Sequence, residues 1–466
     1  DLLGALTEWP AAYVPRSPSA SVFHAVVLLS VGQVTDAHNA LANVPKNAPG
    51  RLAIEEMIDA VNFTKRSGGP EPRTASEWLS HSYYEQSRAT DPDRPRGGAL
   101  VSALAAARKA LEIAPDFGFA AVRVAELEFS FGRTRESMEL LSRGIGLAPR
   151  NAQAYSLQGF LFADWNCLDA AASSFETAIS LDGALGNAWL GRGLCKIRRG
   201  NKEEGRMDLQ TATVLEPNRS ILHSYFGKAS SMLGLQQQAG EDLEYAKKID
   251  PADPTPWLYS ALLHQEKNQP NKAIAELEKS IELNDNRRLY RSDLLLDQDR
   301  AVRNANLAKI YQYNGMRDVA IREATRAVDS DYTNPSAHLF LANSFDALRD
   351  PNRVSLRYET PWFNELLLAN LFSQVGGGPL SQFVSQQEYS KLLESDGIGG
   401  NLVSEWRSDS EIRSSASIFG THGKVSYGID AYFRNDNGDR ANADLDLREI
   451  YGQFKVQVTP DDIFYF

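Results

Sequence analysis

The sequence predicts a mostly α chain, a solenoid of antiparallel helix pairs followed by C-terminal antiparallel β-strands. Two observations predict it. Small and apolar residues recur every 34 positions through the middle of the chain. Beyond about residue 400 the apolar period falls from helical to alternating.

The repeat is anchored by Pro115, Pro149, Pro217 and Pro251, with Gly183 and Asp285 filling the remaining steps of 34. Each anchor follows the end of a helical pattern. Small residues stand 24 positions before an anchor (Ala125, Gly159, Gly193, Gly227, Ala261) and 12 before it (Ser137, Ala171, Gly205, Ala239, Ala273). Five before it stand Ala110, Gly144, Ala178, Ala212, Ala246 and Ser280, and eight before it Leu141, Phe175, Leu209, Leu243 and Leu277. Tyr155, Trp189 and Trp257 mark the start of the first helix of their pairs. Two helices joined by a short turn approach closely along their length, so small residues belong at the crossings and large apolar ones in the holes between. One pair cannot bury its own apolar face, and stacking pairs makes a continuous core.

These offsets resemble the tetratricopeptide repeat (TPR) family, which implies a right-handed superhelix with a concave groove. Ala25, Ala37, Leu41 and Pro49 repeat the offsets for a unit over about 18–51. A less regular helix pair follows, and Pro and Gly break the pattern at 91–98. Ala308, Tyr311, Ala320, Ala324 and Ala327 restore it over 301–334 after a step of 47, which leaves thirteen extra residues around Asn286–Arg300. A helix over Ser336–Leu348 is expected to cap the stack, another is expected over 361–373, and a short one over Ser385–Glu394. The expected divisions are irregular repeats over 1–117, regular repeats over 118–350, a connector over 351–400 and strands over 401–466.

The clearest strand is 424–434, where Val425, Tyr427, Ile429, Ala431 and Phe433 alternate with polar residues. Another covers 449–458, and weaker alternation covers 402–407 and 411–419. Turn signals stand at Gly420–Gly423, Asn435–Asp439 and Thr459–Asp462. Long one-faced strands suit either a sheet packed on its own core or a membrane barrel, apolar toward lipid and polar toward the lumen. Asp, Arg, Lys and Gln on the polar faces, and aromatics near strand ends, lean toward the barrel. So few strands cannot close one, and the rest is expected past Phe466.

An array of TPR pairs, then Arg357-Tyr358-Glu359-Thr360-Pro361-Trp362, Leu380-Ser381-Gln382 and Ser385-Gln386-Gln387-Glu388-Tyr389, then amphipathic strands, resembles Gram-negative outer-membrane proteins that join a periplasmic TPR domain to a β-barrel. Some relatives of that kind carry a FecR-like domain, and exopolysaccharide-export porins are more distantly similar. The resemblance implies an outer-membrane barrel with the TPR domain in the periplasm, assisting export or assembly. The alternative is a soluble TPR scaffold with a small C-terminal β-domain.

Composition narrows the function. A formal net charge of −11 and no basic cluster argue against a nucleic-acid surface. Cys167 and Cys195 are too few for a disulfide framework or a cysteine zinc site and read as small core residues of adjacent repeats. No apolar run reaches the ~20 residues of a membrane helix. The chain opens at Asp1 without a leader pattern and stops within a strand-like Ile463-Phe464-Tyr465-Phe466, so both ends are expected to be cut from something larger.

The seven histidines are scattered, without metal spacing. Gly376-Gly377-Gly378 lacks the Lys-Ser/Thr of a phosphate loop, and Asn435–Asp439 lacks the alternation of a calcium loop. The Asp297/Asp299 pair reads as a solvated insertion face before a cation site. The expectation is therefore no enzyme, no metal and no cofactor. Function falls to the groove, which the first helix of each pair lines. By register its lining includes Phe119, Val122, Glu126, Gln153, Ser156, Asn187, Leu190, Lys228, Thr255, Leu258 and Gln265. That mixture suits an extended peptide or protein segment, and also a sugar polymer.

Overall fold

The computed structural model describes residues 6, 15–66, 68–88, 98–283, 300–346, 348, 360–376, 380–381, 396–407, 410–438, 440–460 and 462–466. The described residues form two compact units, one up to Leu157 and one from Gln158 onward.

In the first unit α1 (Pro18–Ser30) packs on α2 (Val34–Ala40), and α3 (Arg51–Val61) follows. Then α4 (Ala75–Ser87) packs on α5 (Gly98–Ile113), and α6 (Gly118–Ser130) on α7 (Thr134–Leu147). The break at 91–98 thus falls between the helices of one pair. Side chains fix the starts. Ser17 Oγ accepts from the Ala20 amide at 3.2 Å. Thr74 and Glu77 form a reciprocal capping box that satisfies two otherwise orphaned amides.

Helix α8 (Ala152–Asp164) runs into the second unit, which continues with α9 (Leu168–Leu181), α10 (Gly186–Arg198), α11 (Lys202–Leu215), α12 (Ser220–Met232), α13 (Gln236–Ile249), α14 (Pro254–Glu266) and α15 (Pro270–Leu283). After the insertion come α16 (Arg300–Tyr313), α17 (Arg317–Ser330), α18 (Pro335–Asp346) and α19 (Pro361–Phe372). The insertion over 286–299, including Asp297 and Asp299, and the short helix expected over 385–394 lie outside the described residues. Within the stretch read as connector, α19 sets Leu366 and Ala369 against Leu339 and Ala342 of α18, so α18 has a partner rather than an open end.

Five consecutive pairs, from α6–α7 to α14–α15, turn at one left-handed residue: Gly132 (φ 76°), Asn166 (57°), Gly200 (93°), Gly234 (77°) and Asn268 (55°), again 34 apart. Only Gly, and less easily Asn, takes this conformation cheaply. The small crossing residues permit close backbone approach. A Cβ on Gly205 would stand 2.5 Å from the Gly193 carbonyl oxygen. Phe175 is fully buried, with its ring between Gly159 and Gly191, where a Cβ would meet it at 2.6 and 2.2 Å.

Lys309 of α16 is buried, its ammonium 5.6 Å from the Phe340 ring centre. Burial pushes its pKa down to about 7. The folded state therefore binds fewer protons than the unfolded chain between about pH 7 and the ordinary lysine range, so this site's contribution to stability rises with pH through that window. Thermal melts at pH 7 and pH 10 should show a smaller pH gain in Lys309→Met than in the native chain.

The second unit ends in a five-stranded antiparallel meander: β1 (Gly397–Trp406), β2 (Ile412–His422), β3 (Val425–Asp436), β4 (Leu445–Gln457) and β5 (Ile463–Tyr465). The strands run longer than their alternation suggests. β4 begins four residues before the expected 449 because the alternation changes phase there. Leu445 and Leu447 share a face with Glu449 and Gln453, while Asp446 and Arg448 share the other with Ile450 and Phe454.

Candidate functional site

Two features could serve function, the first helices of the pairs and the faces of the sheet. In the first unit, Phe119 and Gln153 are exposed and Glu126 is half-buried, paired at 2.8 Å with Arg123. Arg123 itself is buried over the Tyr83 ring at 3.9 Å, with Gln86 Oε1 accepting from it at 2.6 Å. Its task is to dock α6 on α4. Val122 and Ser156 are buried, and Val122 fills the space that a Cβ on Gly144 would need.

In the second unit, Asn187 and Gln265 are partly exposed, and Asn187 Oδ1 accepts from Arg219 at 2.9 Å. Leu190, Lys228, Thr255 and Leu258 are buried. The backbone amide of Thr255 donates to Asp253 Oδ1 at 2.9 Å, which starts α14. Of the eleven residues that register assigns to a groove, five reach solvent: Phe119, Glu126 and Gln153 in one unit, Asn187 and Gln265 in the other. The other six pack. His223 and His264 lie within α12 and α14, and His223 Nε2 lies 3.0 Å from the Pro217 carbonyl oxygen.

Cys195 is buried in α10, and burial pushes its thiol up to about 12, which leaves it inert. Cys167 differs from expectation. It stands half-buried before α9, where the turn at Asn166 brings it out of the core. Among the described residues no three His, Cys, Asp or Glu side chains gather as a metal site.

The apolar face of the sheet is the exposed one. Its pairing aligns Ile398, Gly420, Tyr427 and Phe454 in one row, Gly400, Ile418, Ile429 and Gly452 in the next, then Leu402, Ala416, Ala431 and Ile450. This apolar face is open: Ile398 is 80% exposed, Leu402 73% and Ile450 79%. The opposite face is polar and, over β2–β4, covered, with Ser417, Ser426, Asp430, Arg434, Lys455 and Gln457 all buried, while Val403 and Glu405 of β1 are exposed on it. Helical elements supply the cover. Asn370 Nδ2 donates to Gln453 Oε1 at 2.6 Å, and Lys455 Nζ donates to Ser373 Oγ at 2.6 Å. Ser381 Oγ donates to Asp430 Oδ1 at 2.8 Å, and the Gly376 amide to Ser426 Oγ at 3.0 Å. The repeat turns join in: Asn166 Nδ2 donates to the Gly423 carbonyl at 3.0 Å, and Arg198 Nη1 to the Gly376 carbonyl at 3.0 Å. Asn166 occupies the left-handed turn position that Gly132, Gly200 and Gly234 hold elsewhere. Its amide is the one local signal that could have marked this contact.

Residues 257–287 match the tetratricopeptide repeat family. Anaphase-promoting complex subunit 3 of Schizosaccharomyces pombe is 26% identical over 147 residues, which is 31% of this chain and 22% of that protein. The chain thus spans about a fifth of that relative's length. A crystal structure of an anaphase-promoting-complex hetero-tetramer is similar at 14% identity and a TM-score of 0.47, covering 77% of this chain and 81% of that one. A tetratricopeptide repeat protein from Parabacteroides merdae is similar at 16% identity and a TM-score of 0.41, covering 58% and 98%. The helical part of this chain is thus a solenoid of 34-residue helix pairs, and residues 257–287 of it match the tetratricopeptide repeat family.

Proposed function

We propose that this chain is a protein-interaction scaffold tethered to an outer membrane. In this reading its strands are part of a β-barrel wall and its TPR solenoid lies in the periplasm. The polarity of the sheet carries the proposal. A half-solvated soluble sheet turns its apolar face to the core and its polar face to water. A barrel strand turns the apolar face to lipid and the polar one to the lumen. Here Ile398, Leu402, Ile418, Ile429 and Ile450 face outward while Asp430 and Lys455 are covered.

The apolar band has limits of the right kind. From Ile450 on β4 to Val458 just past its end it runs roughly 26 Å at about 3.3 Å per residue. At one end the outward row changes to Ser404, Ser414, Phe433 and Arg448. Trp406 lies just past that row, Phe464 pairs with Val456 toward the other end, and Phe454 and Phe466 pair near the middle of the band. An aromatic at the margin of a lipid-facing band, as at Trp406, matches a barrel girdle.

Partner binding falls to the solvated first-helix residues. In the first unit Phe119 offers an apolar contact and Glu126 and Gln153 offer hydrogen bonds, in the second Asn187 and Gln265 offer hydrogen bonds, and each set suits a stretch of extended peptide. A sugar polymer and a part in export or assembly are finer versions of the same reading. Photocrosslinkers placed singly at Phe119, Gln153 and Gln265 of the native protein in cells test it. Discrete adducts at these sites, absent from the exposed second-helix site Val214, are expected. Equal labelling at all four sites, or none, would refute a groove partner.

A further inference from the structure

A pore would bathe the polar face in water, yet over β2–β4 its centre is dry. Asp430 is 0% exposed, Ser426 and Lys455 1% each, and Ser417 3%. Pro361–Gly376 and Leu380–Ser381 lie across it. Their moorings fall on three neighbouring strands: Ser417 on β2, Ser426 and Asp430 on β3, and Gln453 and Lys455 on β4. Contact is closest at Gly428, where a Cβ would stand 1.5 Å from the Leu380 carbonyl oxygen. Only glycine fits there, and its side-chain direction is that of Ser426 and Asp430, into the polar side. Apolar residues seal the seam, since Val375 and Leu380 are 2% and 3% exposed.

We propose that this segment is a strap that plugs the lumen. It lies against β2–β4 through neutral hydrogen bonds plus the buried charges of Lys455 and Asp430, and it closes the pore to solutes. Arg198 holds the strap from the solenoid side through the Gly376 carbonyl and lies 3.6 Å from Asp396 at the start of β1. The last turn of a repeat helix therefore touches both the plug and the first strand. This proposal rests on the barrel reading and adds to it that the resting pore is shut.

The test is conductance of the native protein, purified from membranes and reconstituted in planar lipid bilayers. Gly428→Leu should push the Leu380 backbone off β3, and Lys455→Ala should remove the Ser373 mooring. Wild type is expected to conduct little, and either variant to raise mean conductance at least tenfold. Slower migration of the boiled than of the unboiled sample on gels checks in parallel that each protein is a folded barrel. A folded wild type that already conducts as an open pore overturns the plug and leaves the barrel standing. So do two folded variants as silent as wild type. Wild type without heat-modifiable migration overturns both. If Gly428→Leu fails to fold, Lys455→Ala decides alone.

Discussion

Arginine in place of Ile429 is expected to abolish membrane assembly of this protein. Ile429 is 54% exposed in the centre of the apolar face, with Ile418 on one side and Gly452 on the other in its row. Charge at the lipid face of a barrel costs about 2–4 kcal/mol at mid-bilayer and falls toward the margins. Depth therefore provides an internal control. Arginine at Ser404, on the row that already carries Arg448, should cost little. On a soluble sheet the same Ile429→Arg change faces water and should stay within about 0.5 kcal/mol. The measurement is the fraction of each variant recovered folded in the outer-membrane pellet. Loss for Ile429→Arg with retention for Ser404→Arg is the expected pattern.

Phe175→Ala is expected to give the largest loss of stability in the solenoid, about 3–5 kcal/mol. The ring is fully buried, meets Phe160 edge-on at 5.0 Å, and fills the space that Gly159 and Gly191 leave open. Gly159 and Gly191 have no side chains to swing in, so most of the cavity stays. The reverse change tests the same jigsaw. Gly191→Ala drives a Cβ to 2.2 Å from a rigid ring, and should cost about 1–3 kcal/mol by overpacking. Denaturant unfolding of the native protein and both variants checks the order. If Phe175→Ala is milder than Gly191→Ala, the packing account fails.

The solenoid was legible because its physics repeats. Each pair crosses its neighbour the same way, so Gly193, Gly205, Ala212 and Leu209 recur at fixed offsets. The left-handed turn at Gly132, Asn166, Gly200, Gly234 and Asn268 was equally open to reading and lay unused. The strands were legible where one face is uniformly apolar. They were lost at Leu445–Arg448, where the outward face stops being apolar and the alternation changes phase.

The expected groove lining rests on helix register alone. Register gives the face of a helix, but burial depends on what packs there. Val122, Ser156, Leu190, Lys228, Thr255 and Leu258 are consequently packing residues, while Phe119, Glu126, Gln153, Asn187 and Gln265 keep solvent contact. The strap over the polar face left no sequence signal, because Asn370, Ser373 and Ser381 meet partners on strands dozens of residues away. Only Gly428, a glycine inside a strand, hinted at close backbone approach.

The central claim is that the apolar face of the strands meets lipid. The most direct measurement is alkaline carbonate extraction of membranes from cells making the native protein, read together with gel migration before and after boiling. The account predicts that the protein stays in the pellet and migrates more slowly once boiled. Release into the carbonate supernatant, with the same migration in both samples, would contradict it.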